Sequence, residues 1–220
     1  MRGLLKSFTR VGGGVRGYSS ARKDLRIEGV KHAIAVASGK GGVGKSTTAV
    51  NLAVALANKC QMKVGLLDAD IYGPNVPIMM KLDRKPEVTD DKKMIPIESY
   101  GVKCMSMGLL VDKDAPLVWR GPMVSSALEK MTRGVNWGNL DILVVDMPPG
   151  TGDAHITVSQ RLQLSAEIPL EVGIRKGSDN GVPIVISAPD SDVSKAYVDV
   201  ARRVVDRLAK EEQSRPQISL

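Results

Sequence analysis

Aromatic residues and long apolar runs are scarce in this 220-residue sequence, and each scarcity argues against a class of protein. One Phe, two Trp and four Tyr make up 3% of the chain. That is too few for a surface that stacks successive bases of single-stranded nucleic acid. No apolar run approaches the roughly 20 residues that a membrane-spanning helix needs. We therefore expect no membrane insertion, and the 43% hydrophobic and 25% charged residues are typical of a folded domain.

Cysteine is equally scarce, with Cys60 and Cys104 far apart in the sequence. A disulfide framework is therefore excluded for a chain of this size in a reducing compartment. The sequence also contains no Cys-x-x-Cys pair. Since a [4Fe–4S] cluster is normally held by four thiolates, no ligands for such a cluster can be identified in this sequence.

Acidic residues are missing from residues 1–23, a segment with six basic side chains and many Gly and Ser residues. Outside it, 25 basic residues face all 24 acidic ones, so the net charge of +7 resides mainly in this leader. Its composition is typical of a mitochondrial transit peptide, with a disordered basic arm as the alternative. We predict import into the mitochondrial matrix and, because the remaining chain is nearly neutral, no nucleic-acid partner.

Three short apolar segments follow the leader, and such segments are typical of buried strands in a parallel sheet. They are His32–Ala37, Val64–Leu67 and Ile142–Val145. The segment Thr48–Asn58 is rich in Ala and Leu and has no Gly or Pro, so it is predicted as a buried helix. This alternation predicts an α/β fold with a mostly parallel sheet and helices on both faces.

Other segments are predicted to surround this core. Met94–Ile97 and Val102–Met107 are predicted as a hairpin around the turn at 99–101, and Met123–Met131 as a helix. A stripe of apolar residues at helical spacing over Val193–Ala209 predicts a helix packed on the sheet rather than a membrane tail. The predicted parts of the chain are a transit peptide (1–23), a linker (24–31), one domain (32–210) and a disordered tail (211–220).

A glycine-rich loop between the first strand and the first helix gives the strongest chemical signal. Gly39, Gly44, Lys45 and Ser46 match the pattern G-x-x-x-x-G-K-[ST]. Glycines let backbone N–H groups turn toward phosphate oxygens, and the helix N-terminus adds partial positive charge. Lys45 is expected to reach the β- and γ-phosphates, and the Ser46 hydroxyl to bind Mg²⁺. The loop thus predicts a site for ATP and Mg²⁺.

Acidic residues follow the second and third predicted strands. Asp146 ends the third strand, where a carboxylate linked to Mg²⁺ belongs, so Ser46 and Asp146 are the predicted Mg²⁺ ligands. Gly150 or Gly152 could place a backbone N–H against the γ-phosphate. Asp68 and Asp70 lie on one side of the chain if it stays extended, and we predict that both position the attacking water and the Mg²⁺ shell. The alternative is one helix cap and one solvated acid.

The loop carries a second lysine, Lys40, that a plain P-loop does not need. In this respect Gly39–Thr47 resembles the deviant Walker A motif of the dimeric SIMIBI-type ATPases, which include MinD, ParA and the nitrogenase iron protein. The resemblance implies a homodimer in which Lys40 reaches the partner's phosphates and assists catalysis as an arginine finger does. The residues expected to contact the nucleotide are Gly39, Lys40, Gly41, Gly42, Val43, Gly44, Lys45, Ser46, Thr47 and Gly150.

Several further motifs resemble the Mrp/NBP subfamily of iron–sulfur carriers, over about residues 28–210. They are Asp68–Asn75, Trp119–Met123, Asp146–Asp153, Ile168–Leu170 and Arg175–Pro183. This resemblance implies a weak ATPase that delivers [4Fe–4S] clusters to iron–sulfur subunits of mitochondrial respiratory complex I. Two other hypotheses remain open: a positioning ATPase of the ParA or MinD type, and a cluster-less isoform that only binds ATP.

The sequence departs from this subfamily at one point, where Thr157–Ser165 runs directly into Ala166–Pro169. Members of the subfamily continue here through further strands and a Cys-x-x-Cys pair that holds the cluster between subunits. We therefore expect that an internal block is missing near 165/166. Its loss would truncate the C-terminal part of the domain and expose edges of the sheet.

Overall fold

A five-stranded sheet forms the centre of the computed structural model, which describes residues 27–110, 121–149, 168–169 and 171–213. The strands are β1 (Val30–Val36), β2 (Val64–Asp68), β3 (Ile97–Ser99), β4 (Val102–Ser106) and β5 (Leu140–Asp146). The helices of the described ranges are α1 (Lys45–Lys59), α2 (Val76–Met79), α3 (Gly121–Arg133), α4 (Val172–Asp179), α5 (Ile184–Ser187) and α6 (Asp192–Gln213). The predicted transit peptide and the junction near 165/166 lie outside the described residues.

The strands lie in the order β1-β5-β2-β4-β3, and only β3 runs antiparallel to its neighbour. Four parallel strands place their carboxyl ends at one edge, so the loops that follow β1, β2, β4 and β5 gather there. The register pairs Asp68 at the end of β2 with Asp146 at the end of β5 and with Ser106 at the end of β4. The predicted α/β fold with a mostly parallel sheet is confirmed.

The predicted hairpin is present, but its first strand begins at Ile97 rather than at Met94. Met94 pairs its backbone elsewhere, in isolated bridges to Val88 and Val135, and Pro96 has no N–H to continue a ladder. The turn consists of Tyr100 and Gly101, which both have positive φ angles of 50° and 75°. Two such residues form the tight turn that matches the twist of a hairpin.

Helices cover both faces of the sheet, as the continuous apolar strands predict. Alternate residues divide between the faces, so that Leu66 and Val144 pack with α1 and α6, whereas Leu67 and Leu143 pack on the other face. The second face is closed by Met131 of α3 and by the fully buried Trp137. Each face therefore has its own apolar cluster, and the sheet is held rigid between them.

The apolar stripe predicted for α6 is buried, but its residues pack mainly against α1, whereas the sequence predicted a helix packed directly on the sheet. The buried residues of the stripe are Val193, Tyr197, Ala201, Val204 and Leu208. The helix continues through Gln213, three residues into the segment predicted as a tail. Its end is held to β1 by Glu212, whose carboxylate lies 2.9 Å from Nε2 of His32. In the described part of the chain, no helix is both long and apolar enough to cross a membrane.

Strand β1 lies at one edge of the sheet and pairs with β5 alone among the described residues. Ala33, in the middle of this strand, is exposed. One side of the strand's backbone and part of one face thus have no covering in the described part of the chain. β1 also begins at Val30, within the segment predicted as a linker.

Candidate functional site

The glycine-rich loop lies at the carboxyl edge of the sheet, between β1 and α1. Gly42 and Gly44 have positive φ angles of 75° and 84°, a region that residues with a Cβ rarely adopt. A Cβ placed on Gly41, Gly42 or Gly44 would meet no heavy atom within 4 Å. There is therefore open space beside the glycines of the loop, and Gly44 forms the N-terminal cap of α1. This arrangement fits a triphosphate, which needs room and inward-facing backbone N–H groups.

Lys45, the first residue of α1, connects the loop to the acids of two neighbouring strands. Its side chain is only 7% exposed. Its Nζ contacts Asp146 Oδ1, donates to Ser46 Oγ at 3.1 Å, and lies 4.0 Å from Asp70 Oδ2. The fold thus brings together four residues that sequence reasoning assigned to ATP and Mg²⁺: Lys45, Ser46, Asp70 and Asp146.

Asp146 is fully buried at the end of β5. Its backbone is fixed on both sides, because its carbonyl accepts from Ala69 N at 2.8 Å and the next residue, Met147, donates to Val36 O at 3.0 Å. Burial raises the pKa of Asp146 and outweighs the opposite effect of Lys45 and the Ser46 hydroxyl. Its second oxygen, Oδ2, is buried and has no hydrogen-bond partner among the described residues.

An unpartnered carboxylate oxygen in the interior is costly, by about 1–3 kcal/mol or more for a charged group. Mg²⁺ binds through carboxylates and hydroxyls and keeps several waters, and Ser46 offers a hydroxyl on the adjacent helix. The residues present therefore fit a magnesium ion that Asp146 Oδ2 and Ser46 would help to hold. Lys45 also neutralises the negative charge of the buried Asp146 carboxylate.

The two acids that follow β2 have different surroundings. Asp68 is fully buried and accepts three hydrogen bonds, from Asp70 N (3.1 Å), Val76 N (3.2 Å) and Ser106 Oγ (3.0 Å). Burial, followed by the nearby Asp146, raises the pKa of Asp68 to about 7. Asp70 Oδ1 accepts from Gly73 N at 3.3 Å, and its Oδ2 is the oxygen nearest to Lys45.

The expectation that both acids face the nucleotide assumed an extended chain after β2. The chain instead turns directly after Asp68, where Asp70 N donates back to Asp68 Oδ1 and Ile71 N donates to Ala69 O at 3.1 Å. Only Asp70 is left facing Lys45. A catalytic role for Asp68 stays a prediction, and its carboxylate is already occupied by donors of the protein.

The remaining predicted site residues lie around the mouth of the loop. Lys40 is exposed, and its carbonyl accepts from Ser38 Oγ at 2.9 Å, which shapes the start of the loop. Val43 is 60% exposed at the tip. Thr47 lies in the first turn of α1, and its carbonyl accepts from Asn51 Nδ2 at 2.9 Å. Gly150 lies outside the described residues.

Two residues near the site were missed by sequence reasoning. Ser106 ends β4 beside Asp68, and its signal was a polar residue at the end of an apolar strand, the same signal that identified Asp146. Asn51 is a buried polar residue within the Ala- and Leu-rich helix α1. Its Oδ1 accepts from Val185 N at 3.3 Å, so it connects the phosphate loop's helix to α5.

The two cysteines lie in separate places, Cys60 half-buried after α1 and Cys104 buried in β4. Burial raises the pKa of both thiols, which disfavours the thiolate form that binds metals. Among the described residues, no three His, Cys, Asp or Glu side chains are grouped so that they could hold a metal ion. These cysteines do not fit the ligand set of an iron–sulfur cluster.

Comparison with known proteins gives matches over most of the chain. The family described as "ParA: NUBPL iron-transfer P-loop NTPase" matches residues 29–168. The Arabidopsis thaliana protein "Iron-sulfur protein required for NADH dehydrogenase, mitochondrial" is 54% identical over 254 aligned positions, which cover 84% of this chain and 81% of that protein. About 185 of the 220 residues thus align over 254 positions, so about 70 positions of the relative have no counterpart here.

Two solved structures agree with the fold. A nucleotide-binding protein from Archaeoglobus fulgidus, in complex with ADP, is 40% identical with a TM-score of 0.51, and the match covers 61% of this chain and 51% of that one. The septum site-determining protein MinD from Pyrococcus horikoshii, complexed with Mg-ADP, has a TM-score of 0.58 at 18% identity, covering 84% of this chain and 99% of that one. The second likeness concerns the fold alone.

Proposed function

Because the chain belongs to the family of NUBPL-type iron-transfer P-loop NTPases, we propose that it is an ATP-dependent iron–sulfur assembly protein of the mitochondrial matrix. Its clients would be iron–sulfur subunits of respiratory complex I. The observation that carries this proposal is the meeting of Lys45, Ser46, Asp70 and Asp146 next to a glycine loop that has open space beside its glycines. ATP is proposed as the ligand of that loop.

The residues of the site divide the work on ATP. Backbone N–H groups of the loop around Gly42 and Gly44 donate to phosphate oxygens, and Lys45 exchanges Asp146 for the β- and γ-phosphates. Ser46 and Asp146 would hold Mg²⁺, and the ion would supply positive charge to offset the charge that develops on the phosphates. Asp70, placed 4.0 Å from Lys45, is the acid assigned to orient the attacking water.

A homodimer is part of the proposal because Lys40 is exposed and has no ion pair among the described residues. Its side chain is free to reach the phosphates bound by a second copy, where a lysine would neutralise charge as an arginine finger does. Exposed Val43 beside it would be covered by the same contact.

A second candidate function is favoured by the cysteines. Both thiols have raised pKa values, so neither is suited to hold a cluster, and a form that binds ATP and dimerises without a cluster would need only the loop and its acids. In the first function the iron–sulfur cluster is cargo and not a resident cofactor.

Anaerobic reconstitution tests the two functions. The full chain is incubated with iron and sulfide, and bound iron per chain is measured with the visible absorbance, while Mg-ATP binding is titrated on the same preparation. Under the first function the chain binds Mg-ATP and holds a cluster that moves to an apo iron–sulfur subunit when ATP is added. Mg-ATP binding without a stable cluster would support the second function, and absence of ATP binding would overturn both.

A further inference from the structure

The carboxylate of Asp68 joins two loops at the carboxyl edge of the sheet. The loop after β2 carries Asp70 and leads into α2, whereas the turn after β4 is a 3₁₀ turn over Met107–Leu109. Asp68 receives donors from both, because Asp70 N and Val76 N belong to the first and Ser106 Oγ belongs to the end of β4. All three bonds lie within 3.0–3.2 Å.

The first of these bonds decides where Asp70 lies. Asp68 Oδ1 accepts from the backbone N–H two residues later, which is the pattern of an Asx turn and reverses the chain as soon as β2 ends. Within the reversed segment, Asp70 Oδ1 accepts from Gly73 N at 3.3 Å. Its other oxygen is thereby left on the side of Lys45, 4.0 Å from Nζ.

The other two bonds close the far end of the same loop. Asp68 Oδ2 is shared by Val76 N, at the start of α2, and Ser106 Oγ. The Ser106 oxygen in turn accepts from Gly108 N at 3.1 Å in the 3₁₀ turn. A single buried carboxylate therefore fixes both ends of the segment 69–76 and connects it to β4.

We propose that Asp68 is a positioning residue that holds the loop after β2 so that Asp70 faces Lys45, and that Asp68 itself contacts neither the attacking water nor Mg²⁺. Both of its oxygens already accept hydrogen bonds, and the residue is fully buried. Asp70 and Asp146 differ from Asp68 in this respect. Asp70 keeps Oδ2 directed at Lys45, and Asp146 keeps Oδ2 without a donor among the described residues. The catalytic side of this inference rests on the proposed ATPase function.

Amide hydrogen exchange, measured without nucleotide, tests the holding role directly. In Asp68→Asn the new amide nitrogen must face one of the two backbone donors, so protection of either the Asp70 or the Val76 amide falls about tenfold. Ser106→Ala removes the acceptor of Gly108, whose protection falls by a similar factor. Asp70→Asn is the matched control, since the backbone N–H groups of residue 70 and of Val76 still donate to Asp68 in this variant. Unchanged protection of both amides in Asp68→Asn would overturn the proposal.

The steady-state rate of ATP hydrolysis provides the second readout. Asp68→Asn and Ser106→Ala are expected to lower kcat by similar factors of about threefold to tenfold with KM for ATP unchanged, and Asp70→Asn to lower kcat further. The double variant of Asp68 and Ser106 should lose less than the product of the single losses, because both act through one network.

Complete loss of turnover in Asp68→Asn, with amide protection of the loop intact and Ser106→Ala fully active, would show that Asp68 acts on the reactants and would overturn the proposal. A chain that hydrolyses no ATP at all would refute the proposed function, whereas the exchange experiment would still decide the holding role of Asp68. The two failures are thus distinguishable.

Discussion

The ends of β2 and β5 carry the same residue at matched positions, but their surroundings differ. Asp68 and Asp146 are paired in register, and both are fully buried. Asp68 accepts three hydrogen bonds from the protein. Asp146 contacts Lys45 with Oδ1, and its Oδ2 has no donor within the described ranges. We call Asp68 the closed acid, because both of its oxygens accept hydrogen bonds, and Asp146 the open acid, because its Oδ2 has no donor among the described residues.

This difference shows that position at a strand end does not by itself assign a role to an acid. Beside β2, the chain turns back and supplies its own N–H groups, so the carboxylate serves the architecture of the loop. Beside β5, the nearest neighbour is the start of α1, which supplies a cation and a hydroxyl that also suit a nucleotide and its metal. A buried acceptor that is left without a donor among the described residues, here Asp146 Oδ2, is the place where a ligand is expected.

The largest effect is expected from Lys45→Ala, which removes the cation beside Asp146 at the end of β5. Affinity for ATP should fall about 1,000-fold, because the phosphates lose their charged partner and Asp146 becomes an uncompensated buried acid. Titration calorimetry with Mg-ATP measures the loss. Lys59→Ala, at the other end of the same helix, is the control and should bind normally. Unchanged ATP affinity in Lys45→Ala would refute the role of the loop.

Replacement of Asp146, the open acid, by Asn should weaken the dependence of ATP binding on Mg²⁺. We expect the native chain to bind ATP more tightly with Mg²⁺ than with EDTA, and Asp146→Asn to reduce this ratio about a hundredfold. Asp68→Asn, at the closed end, should keep the ratio within a factor of about three. Equal losses in both variants would contradict the distinction between the two ends.

The protonation of Asp68, the closed acid, should be visible in the pH dependence of the free energy of unfolding. Its folded pKa of about 7 lies above its ordinary value of 3.8, so the protonated form is favoured by folding and stability is lost as the pH rises toward 7. For this group alone, the free energy of unfolding should fall by about 2 kcal/mol between pH 5 and pH 7. Denaturant unfolding should show a smaller pH dependence in Asp68→Asn. An identical slope in both proteins would refute the raised pKa.

The smallest effect concerns Lys40, which contacts neither strand end. Lys40→Ala should change ATP affinity by less than about twofold, while turnover falls about tenfold because the partner's phosphates lose a cation. Sedimentation with and without ATP reports on dimerisation. Full turnover in this variant would count against a lysine that acts across a dimer.

Sequence patterns predicted the parts of the site that depend on local chemistry. The glycine loop requires backbone conformations that only glycine adopts easily, and Asp146 ends a continuous apolar strand, so both are visible in the sequence. The parallel sheet follows from short apolar runs separated by a helix. The structure brings Lys45, Ser46 and Asp146 beside one another, and their roles toward ATP and Mg²⁺ stay predictions.

The other parts depend on contacts between distant segments. The direction of Asp68 is set by Val76 and Ser106, and Ser106 meets it only through the register of β2 with β4. The start of β3 is displaced because Met94 pairs with Val88 and Val135. The short helices α4 and α5 contain or follow Gly and Pro residues, so no helical period is visible in them.

Strand β1 is both the strand that leads into the phosphate loop and an edge strand of the sheet. It leads directly into the phosphate loop, and its outer backbone is unpaired by the described residues. Within the described part of the chain, the outer edge of β1 therefore still offers N–H and C=O groups to a further strand, next to the glycines that follow β1. An extended peptide that paired there would restrain this strand from outside, and the restraint would act on the glycine loop that follows it.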